Sequence, residues 1–148
     1  MRTQFTEQLK VAMKAGDKQR VSALRLITAA LKDKDIEARG LGKTVSDDDV
    51  LALLQKMVKS RQESLAIYEG AGREDLAKVE RDEIAVITSF LPKAMDDAGM
   101  ATAIDAAIAE TAAAGMKDTG KVIAVLRAKY AGRMDFGKAS GVVKGKLG

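Results

Sequence analysis

Lys121, Lys129, Arg133 and Lys138 recur at intervals of four to eight residues in the last quarter of the chain. Ammonium and guanidinium groups repeated in this way do electrostatic chemistry: they neutralise the phosphates of a polyanion and fix its path without reading its sequence. The wider segment 117–148 holds eight cations, Lys117, Lys121, Arg127, Lys129, Arg133, Lys138, Lys144 and Lys146, against Asp118 and Asp135, a net charge of +6. Arg20 and Arg25, on an earlier helix, are candidates to extend the same surface.

Other chemistry is narrowed by absence. The 148 residues include no His and no Cys, which removes the usual near-neutral proton carrier, the thiolate nucleophile and the commonest zinc ligands. Asp47-Asp48-Asp49 is a poor cation site, because successive side chains on a helix diverge by roughly 100°. Behind Ser46 the three acids suit a helix N-terminus instead. Gly120-Lys121 lacks the preceding strand, the second glycine and the following Ser/Thr of a nucleotide-binding loop. At a helix start it retains the capacity to receive a single phosphate. The expectation is a binding protein, with no catalytic residue, no metal and no cofactor.

These cations need elements to hold them, and the pattern predicts helices throughout. The chain is 47% apolar, with three Phe, two Tyr and no Trp, so its core must be built from aliphatic residues and Ala. Phe5, Leu9, Ala12 and Met13 share one face of a first helix that stops at Gly16. Val21, Leu24, Ile27 and Leu31 mark a second, which Asp17 caps and Gly40-Leu41-Gly42 ends. A third runs from Ser46 to Gly70-Ala71-Gly72, with Arg61 interrupting its apolar stripe and an acid such as Glu83 its expected partner. A fourth carries Leu76, Val79, Ile84 and Ile87 and ends before Pro92, the only proline.

Beyond Pro92, Asp96 or Asp97 begins an Ala-rich fifth helix expected to run to Gly115. Asp118 caps a sixth that ends at Gly132, and Asp135 caps a seventh. The fold class is therefore all-α. Four helices form an N-terminal domain, residues 1–92, and three form a small basic domain, residues 93–148. Charge is laid out differently, as two basic ends flanking an acidic middle: residues 1–39 carry nine cations and five acids, and residues 40–116 carry eight and fourteen. No apolar run approaches the roughly 20 residues needed to span a bilayer, and Met1-Arg2-Thr3-Gln4-Phe5 lacks the apolar core of a secretory signal. No membrane partner is expected, and the expected location is cytoplasmic.

Met13-Lys14-Ala15-Gly16-Asp17-Lys18, Leu24-Arg25-Leu26, Tyr68-Glu69-Gly70-Ala71-Gly72-Arg73, Phe90-Leu91-Pro92, Asp118-Thr119-Gly120-Lys121-Val122 and Gly132-Arg133-Met134-Asp135-Phe136-Gly137-Lys138 follow one another in an order and spacing that resembles the GatB/YqeY family. The chain looks like a freestanding YqeY-like protein. Ala128 stands where the family often has proline, and Met134 where it often has alanine. The resemblance implies a C-terminal domain similar to the tail of the B subunit of the tRNA-dependent amidotransferase, a tail that helps hold tRNA.

It also implies tRNA as partner, with an amidotransferase subunit or an aminoacyl-tRNA synthetase as a protein partner. Two alternatives stand beside a non-catalytic tRNA-binding protein. One is a component of a carbon–nitrogen ligase with glutamine as amido-N-donor, active only in complex. The other is a protein-interaction adaptor that docks a basic partner on the acidic third and fourth helices.

Overall fold

Four short polar side chains set where helices begin. Asp17 accepts the Arg20 amide at 3.1 Å, Asp96 accepts that of Gly99 at 2.7 Å, and Asp135 accepts those of Gly137 and Lys138 at 3.0 and 3.2 Å. Ser46 closes a reciprocal box: its hydroxyl accepts the Asp49 amide, and the Asp49 carboxylate accepts the Ser46 amide. Those bonds hold the Asp49 carboxyl below its ordinary range, so the aspartate run serves the helix end.

The computed structural model describes all 148 residues and contains only helices. They are α1 (Arg2–Ala15), α2 (Lys18–Gly40), α3 (Asp47–Gly70), α4 (Glu74–Thr88), α5 (Asp97–Thr111), α6 (Thr119–Tyr130) and α7 (Phe136–Leu147). A single 3₁₀ turn, Met116–Asp118, precedes α6. Contacts divide the chain into two compact units, Met1–Leu91 and Pro92–Gly148.

In the first unit Phe5, Leu24, Ile27, Val50, Leu54 and Ile87 are fully buried, and Phe90 meets the Phe5 ring edge-on with centroids 4.9 Å apart. Burying each large aliphatic side chain contributes on the order of 1.5–3 kcal/mol, so this cluster is what fixes the N-terminal ends of α1 and α3 to α2 and α4. The second unit closes over Ile104, Val122, Leu126, Met134, Ala139 and Val143. Met134 is 1% exposed, so the larger side chain is absorbed by the core, and α6 runs without a break through Ala128.

Four expectations need correction. Met13 does not share the buried face of α1: it is 54% exposed, beyond the stripe defined by Phe5 and Ala12. Val79 is 48% exposed, because α4 turns the phase of Ala77, Glu80, Glu83 and Ile87 inward instead. Helix α5 stops at Thr111 rather than Gly115, with Ala112 in the left-handed region at φ 52°. Asp118 makes no capping bond to α6, since its carboxylate accepts the Ala114 amide at 3.0 Å.

Candidate nucleic-acid interface

The cations of the second unit are positioned by α6, by α7 and by the turn between them. That turn needs Gly132, buried and at φ 79°, a backbone conformation that side chains with a Cβ avoid. Gly137 serves the Asp135 cap: a Cβ there would stand 3.2 Å from the Asp135 carboxylate oxygen. Its bareness therefore has a local cause and does not mark an approach path for a ligand.

The four cations expected to converge are each engaged within the unit. Lys129 pairs with Glu110 at 2.6 Å and Lys138 with Asp97 at 2.6 Å, and each carboxylate holds its lysine above the ordinary range. Arg133 donates from Nε to the Lys93 carbonyl at 3.0 Å and lies 5.9 Å from the Tyr130 ring centre. Lys121 approaches Asp118 at 3.6 Å. Lys146, outside the expected site, pairs with Asp105 at 2.8 Å.

Three of these partners, Asp97, Asp105 and Glu110, lie on α5, which thus sets a row of carboxylates against lysines of α6 and α7. These pairs are exposed, and exposed pairs are weak and screened by salt. A phosphate can replace such a carboxylate at little cost.

The remaining cations of the expected site make no ion pair. Lys117 and Lys144 are exposed and make no ion pair, and the Arg127 guanidinium lies 5.5 Å from the Phe136 ring centre on the exposed side of α6. The phosphate-receiving start of α6 fares less well. The Asp118 carboxylate sits beside it, kept ionised first by the Ala114 amide and then by Lys121 and Lys117, so an anion arriving there meets a charge of its own sign.

In the first unit Arg20 is half-buried, bonded to Gln8 at 3.1 Å and 5.9 Å from the Phe90 ring centre, which makes it a packing residue. Arg25 is exposed on α2 and unpaired.

One charged cluster exceeds what the sequence disclosed. Arg61 reaches both Glu80, at 3.4 Å, and Glu83, at 3.3 Å, on the inward stripe of α4. Glu83 as a partner follows from the break in the α3 stripe, whereas Glu80 does not. One guanidinium thus serves two carboxylates that are 6% and 9% exposed, and the Oε2 atom of each lacks a hydrogen bond. The Arg61–Glu83 contact at Oε2 is a charge contact without hydrogen-bond geometry. Burial, outweighing the opposing pull of Arg61 and helped by the neighbouring Glu80, pushes the Glu83 carboxyl above its ordinary range.

Four helices around an aliphatic core, followed by a basic three-helix unit, define a small all-helical protein none of whose helices is long and apolar enough to cross a membrane. The chain belongs to the Yqey-like protein family, whose pattern matches residues 2–147.

Three curated relatives share the printed name "Altered inheritance of mitochondria protein 41, mitochondrial". The Vanderwaltozyma polyspora protein is 32% identical over 84 residues, that of Lachancea thermotolerans 31% over 83, and that of Saccharomyces cerevisiae 28% over 83. Each match covers 56% of this chain and 43–44% of the relative, so the chain spans less than half the length of the proteins it matches.

Proposed function

We propose that this chain is a non-catalytic tRNA-binding or tRNA-amidotransferase-associated protein of the cytoplasm, whose C-terminal unit lies along a sugar-phosphate backbone. One observation carries the reading: that unit has nine Lys/Arg against six Asp/Glu and buries none of them. Lys117, Arg127 and Lys144 supply the standing positive charge. Lys121, Lys129 and Lys138 join when a phosphate displaces Asp118, Glu110 and Asp97, and Arg133 keeps its backbone anchor. Arg20 and Arg25 are left out of this surface.

Contacts of this kind position an RNA and leave its sequence unread. With four to six phosphates neutralised, log K against log salt concentration has a slope of about −3 to −5. A filter-binding titration of bulk tRNA between low and physiological salt measures it. A flat response, or no binding in low salt, removes the proposal.

The ligase alternative requires a nucleophile to release ammonia from glutamine; the chain has no cysteine, and its serines do not form the Ser-rich, Gly-rich loops of an amidase signature. Incubation with glutamine, ATP and Glu-tRNA therefore yields no Gln-tRNA; product formation overturns the non-catalytic reading. The adaptor alternative is separated by Lys117→Glu with Lys144→Glu, which abolishes RNA binding and leaves an acidic docking face on α3 and α4 untouched.

A further inference from the structure

Between the C-terminal end of α1 and the first half of α2 runs a groove of about 540 Å³. Met13, Val21 and Leu26 form its apolar lining, Lys18 and Arg25 bring positive charge to it, and no acid lines it. Met13 keeps 54% of its area in water although Phe5 and Ala12 of the same helix are sealed, and Val21 and Leu26 beside it are partly exposed.

The charge around it is also unusual. Residues 10–32 carry six cations and a single acid, Asp17. The Asp17 carboxylate is already used at the start of α2, where it accepts the Arg20 amide. Lys18 and Arg25 have no carboxylate partner, whereas Arg2, Arg61, Arg73 and Arg81 of the same unit are all paired.

We infer that the α1–α2 groove docks an acidic, amphipathic segment of a protein partner: an apolar side chain of the segment seats on Met13, Val21 and Leu26, and flanking carboxylates meet Lys18 and Arg25. The combination decides between classes of occupant. A nucleic-acid strand needs cations but draws nothing from an aliphatic floor, and its bases stack on aromatic rings, of which this groove has none. A purely apolar segment would leave two cations facing it unpaired. Carboxylates at the rim steer the encounter and set its direction, and the apolar anchor supplies residence time. An unbranched thioether at the floor adapts to anchors of different shape.

The full-length ¹⁵N-labelled chain is titrated with a synthetic 14-residue peptide in which Leu or Phe recurs every three to four residues among Glu and Asp. A control peptide of equal charge replaces the Leu and Phe by Ser. The expected result is saturable amide shifts clustered at Met13, Val21 and Leu26, no saturation with the control, and affinity lowered by about tenfold or more in Lys18→Glu/Arg25→Glu. Both substituted positions are exposed, and an unchanged thermal midpoint verifies that the variant folds. Met13→Ser lowers affinity several-fold while keeping the same set of shifted amides. The inference is overturned by equal binding of the control, by shifts elsewhere, by indifference to the charge reversal, or by no binding up to about 1 mM. Bulk tRNA perturbing these same amides at lower concentration than the peptide assigns the groove to nucleic acid and overturns it as well. Loss of tRNA binding by the C-terminal unit does not bear on it.

Discussion

In the N-terminal unit the stripe that α4 turns inward carries Glu80 and Glu83 between Ala77 and Ile87, whereas every charged side chain of the C-terminal unit keeps its head group at the surface. Both units are small helical packings, yet they handle charge in opposite ways. The first makes part of its α3–α4 pairing depend on one guanidinium holding two carboxylates. The second keeps its core apolar and its ion pairs at the surface, where exposed pairs contribute little, so its lysines can exchange partners with small loss to the fold. The proposed exchange of carboxylates for phosphates rests on a scaffold of the second kind.

The largest test of that contrast is a cavity. Leu126→Ala should cost the C-terminal unit about 2–5 kcal/mol, since this side chain is fully buried in its apolar core; amide exchange of α5, α6 and α7 reads the loss. A much smaller loss means that the surface ion pairs share the load. In the N-terminal unit Arg61→Met should cost about 3 kcal/mol in urea unfolding, because two buried carboxylates lose their only cation. Adding Glu80→Leu and Glu83→Leu restores most of it, and failure to do so means that Arg61 acts through packing of its stem.

The two units should also differ in response to acid. Glu83 binds its proton more tightly folded than unfolded. Its stabilising contribution is therefore complete below the ordinary carboxyl range and is lost as pH rises through the raised folded value. Stability of the N-terminal unit should climb as pH is lowered from about 7 toward that range. Glu83→Gln should flatten the climb and raise stability at neutral pH; an unchanged profile locates the proton elsewhere. At the smallest end, Lys129→Ala and Lys138→Ala should leave the thermal midpoint within about 2 °C. Each should also lower the magnitude of the tRNA salt slope by about one.

Much of this was legible because it is local. Asp17, Ser46, Asp96 and Asp135 bond amides two or three residues away, so the helix starts are written in adjacent letters. Gly16, Gly72 and Gly132 end or turn segments with φ values near 70–80°. The phase of α4 was not legible, because Val79 and Ile84 argue for one inward face, and the choice of Glu80 and Glu83 depends on Arg61, 19 and 22 residues earlier. The lysine pairs were hidden for the same reason: Lys138 meets Asp97 across 41 positions and Lys129 meets Glu110 across 19. Clustering of like charge in the sequence could announce a basic segment, but only the fold could show that α5 brings acids to it.

Past Leu54 the second half of α3 contains no buried residue, and before Ile87 the buried residues of its partner α4 are Ala77 and the two acids. The end of this hairpin, Tyr68 to Arg73, is therefore where the backbone should open most often and reclose fastest. Under limited proteolysis the first cut should fall near Gly70-Ala71-Gly72, releasing two fragments that stay associated through Phe5, Leu24 and Ile87. A protease clock at that corner would report how often the Arg61 clasp lets go.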